Sequence, residues 1–528
     1  MFKAGCWKKL VFCVGVLLLL AGGICHLYID EIFQHTVVKM LQLTPNAAHY
    51  EVWRKTPVPL QMRIYMFNWT NAEKFGVAGV KPNFLQLGPY TFTEHHEKVN
   101  ITWNPNNTVS YRQIRRWQFD PSNSNGSLSD QVTTVDLLVA TASYLARDWG
   151  YILQTSLSLI LDTSGKRPHM THTVGEMLFE GYEEPLIAVG SKLAFISKLN
   201  IPFDKFGWFY QRNGSASFEG TYSIATGVDD ADNIGRLVEW NHANHTPFYP
   251  GQCGMVNGSA GEMWPPFRQK THTIAAFVPD FCRSLSLDYA REQTVHGLRG
   301  YRYSAGARNF DDGTLYPDNK CFCGGKCVPS GVLNVSACRF GGPAFLSYPH
   351  FYKADPYYLQ QVDGMEPDPD SHEYYVTLEP TTGIPLDVAV RLQINIKVDS
   401  HKYVRMFRNA STGYLPVMWL EGRGGMSAEM APQVSSLVGL PHTLHLAFLS
   451  VLVLGALIIG LLCLLSVLGA CGLPPSDPAP TNTLKRKLQS LDGSGKPPIH
   501  DLVANRDPVK LQRYQVTEHV PLVEESIS

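Results

Sequence analysis

CFCGGKCVPSGVLNVSACRFGGPAFLSYPHFY, residues 321–352, holds four of the chain's eleven cysteines and one Asn-x-Ser sequon, at Asn334. Cys253 and Cys282 lie upstream, and the other five, Cys6, Cys13, Cys25, Cys463 and Cys471, sit in or beside two long apolar runs at the chain ends. The middle of the chain therefore carries six cysteines, an even number that together with the sequon points to an oxidising lumenal or extracellular setting. A zinc site is the weaker reading, because no neighbouring histidine completes a spacing typical of zinc modules. In extended chain Cys321 and Cys323 would lie about 6.6 Å apart on one side, which strains a direct bond. Gly324-Gly325 instead lets the chain turn back and bring Cys323 to Cys327. Cys253, Cys282, Cys321 and Cys338 are left with three connectivities.

Working outward, residues 10–29 form an uncharged run long enough to cross the bilayer as a helix. Lys3, Lys8 and Lys9 precede it and Asp30 and Glu31 follow, which places residues 1–9 in the cytosol. The competing reading is a signal peptide cleaved near Ala21-Gly22-Gly23, but the run exceeds a usual signal core. Residues 444–468 form a second spanning run, followed by Lys485, Arg486 and Lys487. The expected topology is a hairpin, with residues 30–440 outside and residues 469–528, rich in Pro, Ser and charge, as a disordered cytosolic tail. Asn68, Asn100, Asn106, Asn125, Asn213, Asn244, Asn257, Asn334 and Asn409 all head glycosylation sequons, and all fall in the segment assigned outside. Cys6, Cys13, Cys463 and Cys471 lie near the cytosolic ends of the spans, where palmitoylation and plain burial are both open.

Between the spans, His35 to Leu43 continues as helix until Pro45. Strands follow: Leu60, Met62, Ile64 and Met66 alternate with Gln61, Arg63 and Tyr65. Residues 85–93 contain the turn or edge signal Gly88-Pro89, and residues 109–119 read as a further strand. Helical spacing then appears. Val132, Val135, Leu138, Val139, Ala142 and Leu145 share one face, Trp149 to Leu161 suggest a second helix, and Thr173 to Glu176 fit the capping box of a third. A helical cluster over about residues 131–187 results. The connection DTSGKRPHMTH, residues 162–172, exposes Lys166, Arg167, His169 and His172 on a loop. On the residues alone a solvated turn stands first, and a cationic docking patch for anionic lipid or lipoprotein second. Short strands return from residue 218 to 404. The clearest is Val390 to Val398, whose perfect alternation requires one buried face.

The 528 residues carry a net charge of −1 and are 44% hydrophobic, which fits neither a disordered chain nor a nucleic-acid binder. Nucleophile elbow, metalloprotease helix, phosphate loop and dinucleotide fingerprint are all absent, so the expectation is no catalysis, no cofactor and no metal. The runs Glu94-His95-His96-Glu97 and His242/His245 lie in polar segments and read as solvated loop histidines.

LGPYTF (87–92), CGMVNGSAGEMWPPF (253–267), FCRSL (281–285), SYPHFYKADP (347–356), LEPTTGIPLDVAVRLQINI (378–396) and LPVMWLEG (415–422) stand in an order that resembles the class B scavenger receptor family. That family includes fatty acid translocase, the high-density lipoprotein receptor and the lysosomal integral membrane protein; the wording around residues 331–347 is most similar to arthropod, Croquemort-like members. The resemblance implies an α+β membrane protein: a large ectodomain with an antiparallel β-barrel core and an apical helical bundle, anchored by two transmembrane helices and traversed by an apolar tunnel. It implies bridges Cys253–Cys321, Cys282–Cys338 and Cys323–Cys327, acting as a clasp on the barrel's membrane-facing side. It also sets Lys166, with Arg167 beside it, at the ligand-receiving apex.

The resulting expectation is a cell-surface scavenger receptor and lipid transporter of the plasma membrane. Its implied partners are fatty acids, lipoproteins and anionic phospholipids on apoptotic or microbial surfaces, with homo-oligomer formation left open. The rival reading is an endolysosomal membrane protein that binds and sorts a partner protein; its support is Glu518, Leu522 and Val523, which resemble an acidic dileucine signal. A lipid-modifying ectoenzyme finds no nucleophile and base to use.

Overall fold

The computed structural model describes residues 4–56, 60–187 and 204–471. The sorting residues Glu518, Leu522 and Val523 and the tail from residue 472 lie outside the described residues, as do the side chains of Cys6 and Cys471.

Strands β1 (Leu60–Trp69), β2 (Phe84–Trp103) and β3 (Thr108–Phe119) form an antiparallel meander inside a 13-stranded sheet. On one side β1 continues into Gly413–Gly425, then Pro385–Val398, Tyr375–Leu378, Leu298–Ala305, Arg283–Val295 and Ile274–Val278; on the other, β3 continues into Thr221–Ala225 and Leu237–Trp240. The two edges of this sheet are tied through one residue. Arg236 bridges to Ser259 antiparallel, and Ser259 bridges to Ala276 in parallel. Leu237 N donates to Gly258 O at 2.8 Å and Phe277 N to Ser259 O at 2.8 Å. The backbone of residues 258–259 thus closes the sheet into a barrel and satisfies edge groups that would otherwise template aggregation.

Above β1 sits a ribbon of β4 (Gln131–Val135) and β5 (His169–Thr173), with helices α3 (Leu137–Ala146) and α4 (Tyr151–Thr163) between them. The Asp136 carboxylate starts α3 by accepting from the Leu138 and Val139 amides, both at 3.0 Å. Gly165, at φ 65°, ends α4 and lets Lys166 N return to Leu161 O at 3.0 Å. Three expectations change here. Val132 and Val135 belong to a strand, because residues 169–173, expected as the end of a loop and a helix cap, supply its partner. The capping box at Thr173 forms, with Thr173 N donating to Glu176 Oε2 at 2.9 Å, but it starts only one widened turn, Glu176–Glu180. Glu94 to Glu97 lie inside β2, not in a solvated loop.

Helix α1 (Ala4–Leu41), which the short α2 (Tyr50–Arg54) follows, and the C-terminal helix (Ala431–Cys471) have 38 and 41 residues, about 57 and 62 Å of helix. Both outrun the roughly 30 Å hydrocarbon layer, so each expected span continues as helix toward the barrel. Small residues let them meet: a Cβ on Gly22 would stand 2.8 Å from Leu452 N, and one on Gly455 2.7 Å from Leu19 N. His445 Nε2 lies 2.9 Å from Asp30 Oδ1. The chain divides at Gly460 into two units; of the second, the described residues are the last stretch of the C-terminal helix, through Cys471.

Candidate functional site: a cavity through the barrel

The strand Pro385–Val398 shows how the barrel comes to be hollow. Its apolar side chains Val388, Val390, Leu392 and Ile394 face a cavity of about 990 Å³. The polar side chains Arg391, Gln393 and Asn395 face outward yet are buried, under a second layer that satisfies each of them. Arg391 Nη2 meets Glu421 Oε1 at 2.8 Å, Gln393 Oε1 accepts from His350 N at 2.7 Å, and Asn395 Nδ2 donates to Ser347 Oγ at 3.0 Å. Register extends the apolar wall: Ile394 pairs with Met418, Leu392 with Leu420 and Val390 with Gly422, while Gly422 also faces Met62 of β1. All of these line the cavity.

The cavity begins under α3, at Leu137, Leu138 and Thr141, and ends at Leu41 of α1, at Met430 just before the C-terminal helix and at Gln433 within it. Between those ends the Pro385–Ile394 wall alone covers roughly 30 Å. Its volume is at the upper end of the ~300–1,000 Å³ of ligand pockets. It therefore runs from the helical cap to the roots of both long apolar helices.

One section of the wall is polar. β2 and β3 turn Glu94, His96, Gln113 and Arg115 inward, and Arg212, Asp280 and Arg339 join them. His96 Nε2 lies 2.6 Å from Glu94 Oε1; Arg212 holds Glu219 at 2.6 Å and Asp280 through two bonds of 3.0 and 3.1 Å. Burial would raise the Glu94 carboxyl, but His96, Arg115 and Arg212 outweigh it and hold it down at about 2. Sequence reasoning missed this cluster. The available signal was parity: Arg115 shares its face of β3 with Val109, Tyr111 and Trp117, so it points inward with them.

The two cations expected to receive ligand differ from each other, and neither lines the cavity. Lys166, expected to be exposed, is 19% exposed and pairs closely with Glu184, which is 4% exposed. Arg167 is 62% exposed and meets Glu73 at 2.8 Å, with His169 Nε2 3.3 Å from the same carboxylate. His172 stacks on Tyr182. Beside them α4 exposes Tyr151, Ile152, Leu159 and Ile160.

Three disulfides join Cys253 to Cys321, Cys282 to Cys338 and Cys323 to Cys327. The expectation that they clasp the membrane-facing side is overturned. Gly342, just past Cys338, abuts Thr141 of α3, and Ala344 pairs with Ile396, at the end of that strand far from the helix roots. Of the nine sequons, Asn100, Asn106, Asn125, Asn213, Asn244, Asn257 and Asn409 are exposed, and Asn68 and Asn334 are half-buried. Cys13 and Cys463 are exposed on the long helices. Among the described residues no group of His, Cys, Asp and Glu is placed to hold a metal.

An antiparallel barrel whose lipid-sized cavity opens at the roots of its own membrane helices defines a membrane-anchored receptor of the lipid-handling kind. The chain belongs to the CD36 family, whose profile matches residues 13–467. It is 40% identical over 399 residues to Protein peste of Drosophila melanogaster, covering 75% of this chain and 71% of that one. Scavenger receptor class B member 1 of Bos taurus is 35% identical over 449 residues, 84% and 86% of the two chains. Lysosome membrane protein 2 of Homo sapiens is 32% identical over 445 residues, 83% and 88%. The family's members are receptors without catalysis. Two helices long and apolar enough to cross a membrane flank the barrel, which makes the protein a two-pass membrane protein with both termini cytosolic.

Proposed function

We propose that this protein is a cell-surface scavenger receptor that captures fatty acids, lipoprotein lipids and anionic phospholipid on apoptotic cells or microbes, and passes lipid through its ectodomain to the bilayer. The observation that carries this reading is the cavity of about 990 Å³, apolar along the barrel wall and reaching from α3 to both helix roots. Each methylene kept from water is worth about 0.8 kcal/mol. An acyl chain that slides along this wall avoids that cost between carrier and membrane. The exposed apolar side chains of α4, with Arg167 four residues beyond its end, have the chemistry to dock a lipid particle. The 40% identity to a Drosophila protein supports the arthropod, Croquemort-like placement. Full-length protein purified into nanodiscs tests the reading: long-chain lipid should co-purify and the emptied protein should take up oleate. A lipid-free protein that takes up none contradicts it.

The endolysosomal sorting reading has less support, since the 32% identity to Lysosome membrane protein 2 lies below the 40% and 35% to the other two relatives. It requires the Leu522 signal, so unchanged surface residence of Leu522→Ala sinks it.

A further inference from the structure

Arg115 is the one member of the polar section whose guanidinium donates no hydrogen bond. Its nearest carboxylate oxygens, Glu94 Oε1 and Glu219 Oε2, both stand 3.8 Å away. Its Nε is buried without a hydrogen-bond partner. The side chain is 23% exposed, and since it lines the cavity from the inward face of β3, what it is exposed to is the cavity. Burial disfavours its charge, yet Glu219 and Glu94 more than compensate, so it stays a cation.

The neighbouring carboxylates direct their hydrogen bonds to other groups, and none reaches the Arg115 guanidinium. Glu94 gives Oε1 to His96, which lies directly opposite Arg115 in the β2–β3 register. Glu219 gives Oε1 to Arg212, and Asp280 is shared between Arg212 and Arg339, whose Nη2 reaches Asp280 Oδ1 at 3.1 Å. A guanidinium with five N–H donors, none of them in a hydrogen bond and its nearest carboxylate oxygens 3.8 Å away, is a costly arrangement for a buried group. A planar carboxylate answers it by taking two parallel N–H bonds.

We propose that Arg115 is the headgroup anchor of the cavity, binding the carboxylate of a long-chain fatty acid whose acyl chain lies along the Leu392, Met418 and Leu420 wall. This rests on the lipid-cavity reading above and names the ligand class and the residue that holds it. Arg115, Arg212 and Arg339 are balanced by Glu94, Glu219 and Asp280, so the section tolerates a singly charged planar head better than a phosphate monoester carrying more charge. The anchor lies inside the barrel, on a strand far along the chain from Lys166 and Arg167.

The test uses the full-length chain in nanodiscs and three probes of matched chain length: oleate, oleyl alcohol and oleoyl lysophosphatidate. Arg115→Gln should weaken oleate about 10- to 100-fold and leave oleyl alcohol unchanged, and Arg115→Lys should recover part of the loss. Thermal midpoints measured alongside separate a damaged fold, which would weaken oleate and oleyl alcohol together. Equal oleate affinity in wild type and Arg115→Gln overturns the anchor, as does an equal loss for both probes at an unchanged thermal midpoint, and a greater dependence of lysophosphatidate on Arg115 overturns the carboxylate assignment. If oleyl alcohol binds the wild type while Arg115 is without effect, the anchor alone falls. If no probe binds the wild type, the lipid-cavity reading falls with it.

Discussion

Lys166 and Arg167 are adjacent cations that the chain uses differently. Lys166 neutralises buried Glu184, whereas Arg167 stands in solvent against Glu73. Removing Lys166 strands a buried carboxylate at a cost of about 3 kcal/mol, while removing Arg167 breaks a surface pair worth under about 1 kcal/mol. Lys166→Met should therefore lower the thermal midpoint and surface yield, and Arg167→Glu should reduce anionic-ligand uptake with neither changed; the reverse pattern refutes the division. No sequence signal separated the two, because Glu184 lies eighteen residues away and meets Lys166 only once α4 has turned back at Gly165. His350 and His372 are a second pair hidden from the sequence. They stack at 4.5 Å, and each Nδ1 accepts a backbone N–H, from Glu366 and Asp368 respectively, both at 2.9 Å. Burial holds each pKa down at about 4. With the folded value below the ordinary 6.5, their contribution to stability is complete above pH 6.5 and is lost as pH falls toward 4. A thermal midpoint that declines between pH 6.5 and 5 in wild type, with a flatter profile in His372→Asn, is the expected result; parallel profiles reject the role.

At the scale of elements, period-2 patterning was legible and its meaning was not. Val390 to Val398 announced a strand with one buried face, but Arg391, Gln393 and Asn395 of the polar face are buried too, and Val390, Leu392 and Ile394 look into a cavity. A packed core and a lipid channel both exclude water, so both select the same alternation of Val, Leu and Ile. The polar face gave no hint of burial because its partners, Glu421, His350 and Ser347, come from distant segments. Residues 131–135 failed for a related reason: a run of five fits a helix or a strand until its partner is known, and that partner was taken for the end of a loop and a helix cap. The two long helices were legible from composition, but their packing was not. Gly22 faces the partner backbone, where an added Cβ would meet Leu452 N at 2.8 Å, whereas one on Gly23 meets only Leu452 Cδ1 at 3.7 Å. Gly22→Leu should cut the fraction of chain carrying mature glycans at the surface and Gly23→Leu should not; equal maturation would show that the close approach is dispensable.

For the whole molecule, the barrel and its cavity were reached from the sequence through family resemblance and not through periodicity, since closure depends on the backbone of residues 258–259 bridging two edges. The Cys282–Cys338 bridge stands at the α3 end of that barrel, distant from the helix roots. Removing it typically costs about 2–5 kcal/mol, so Cys282→Ser should be retained before the surface with immature glycans, and normal export would show that the bridge is not needed to fold. The central claim is that lipid reaches the membrane through the cavity. Gly422 permits a direct test: it lines the cavity between Met62 and Val390, its backbone is extended, and an added Cβ has only ordinary contacts, the nearest being Val390 Cβ at 3.6 Å. Gly422→Trp would set an indole across the passage. In cells presented with lipoprotein carrying a labelled lipid, the variant should bind particles as wild type does while transfer of label to the membrane falls to background. Wild-type transfer through the plugged barrel would contradict the account.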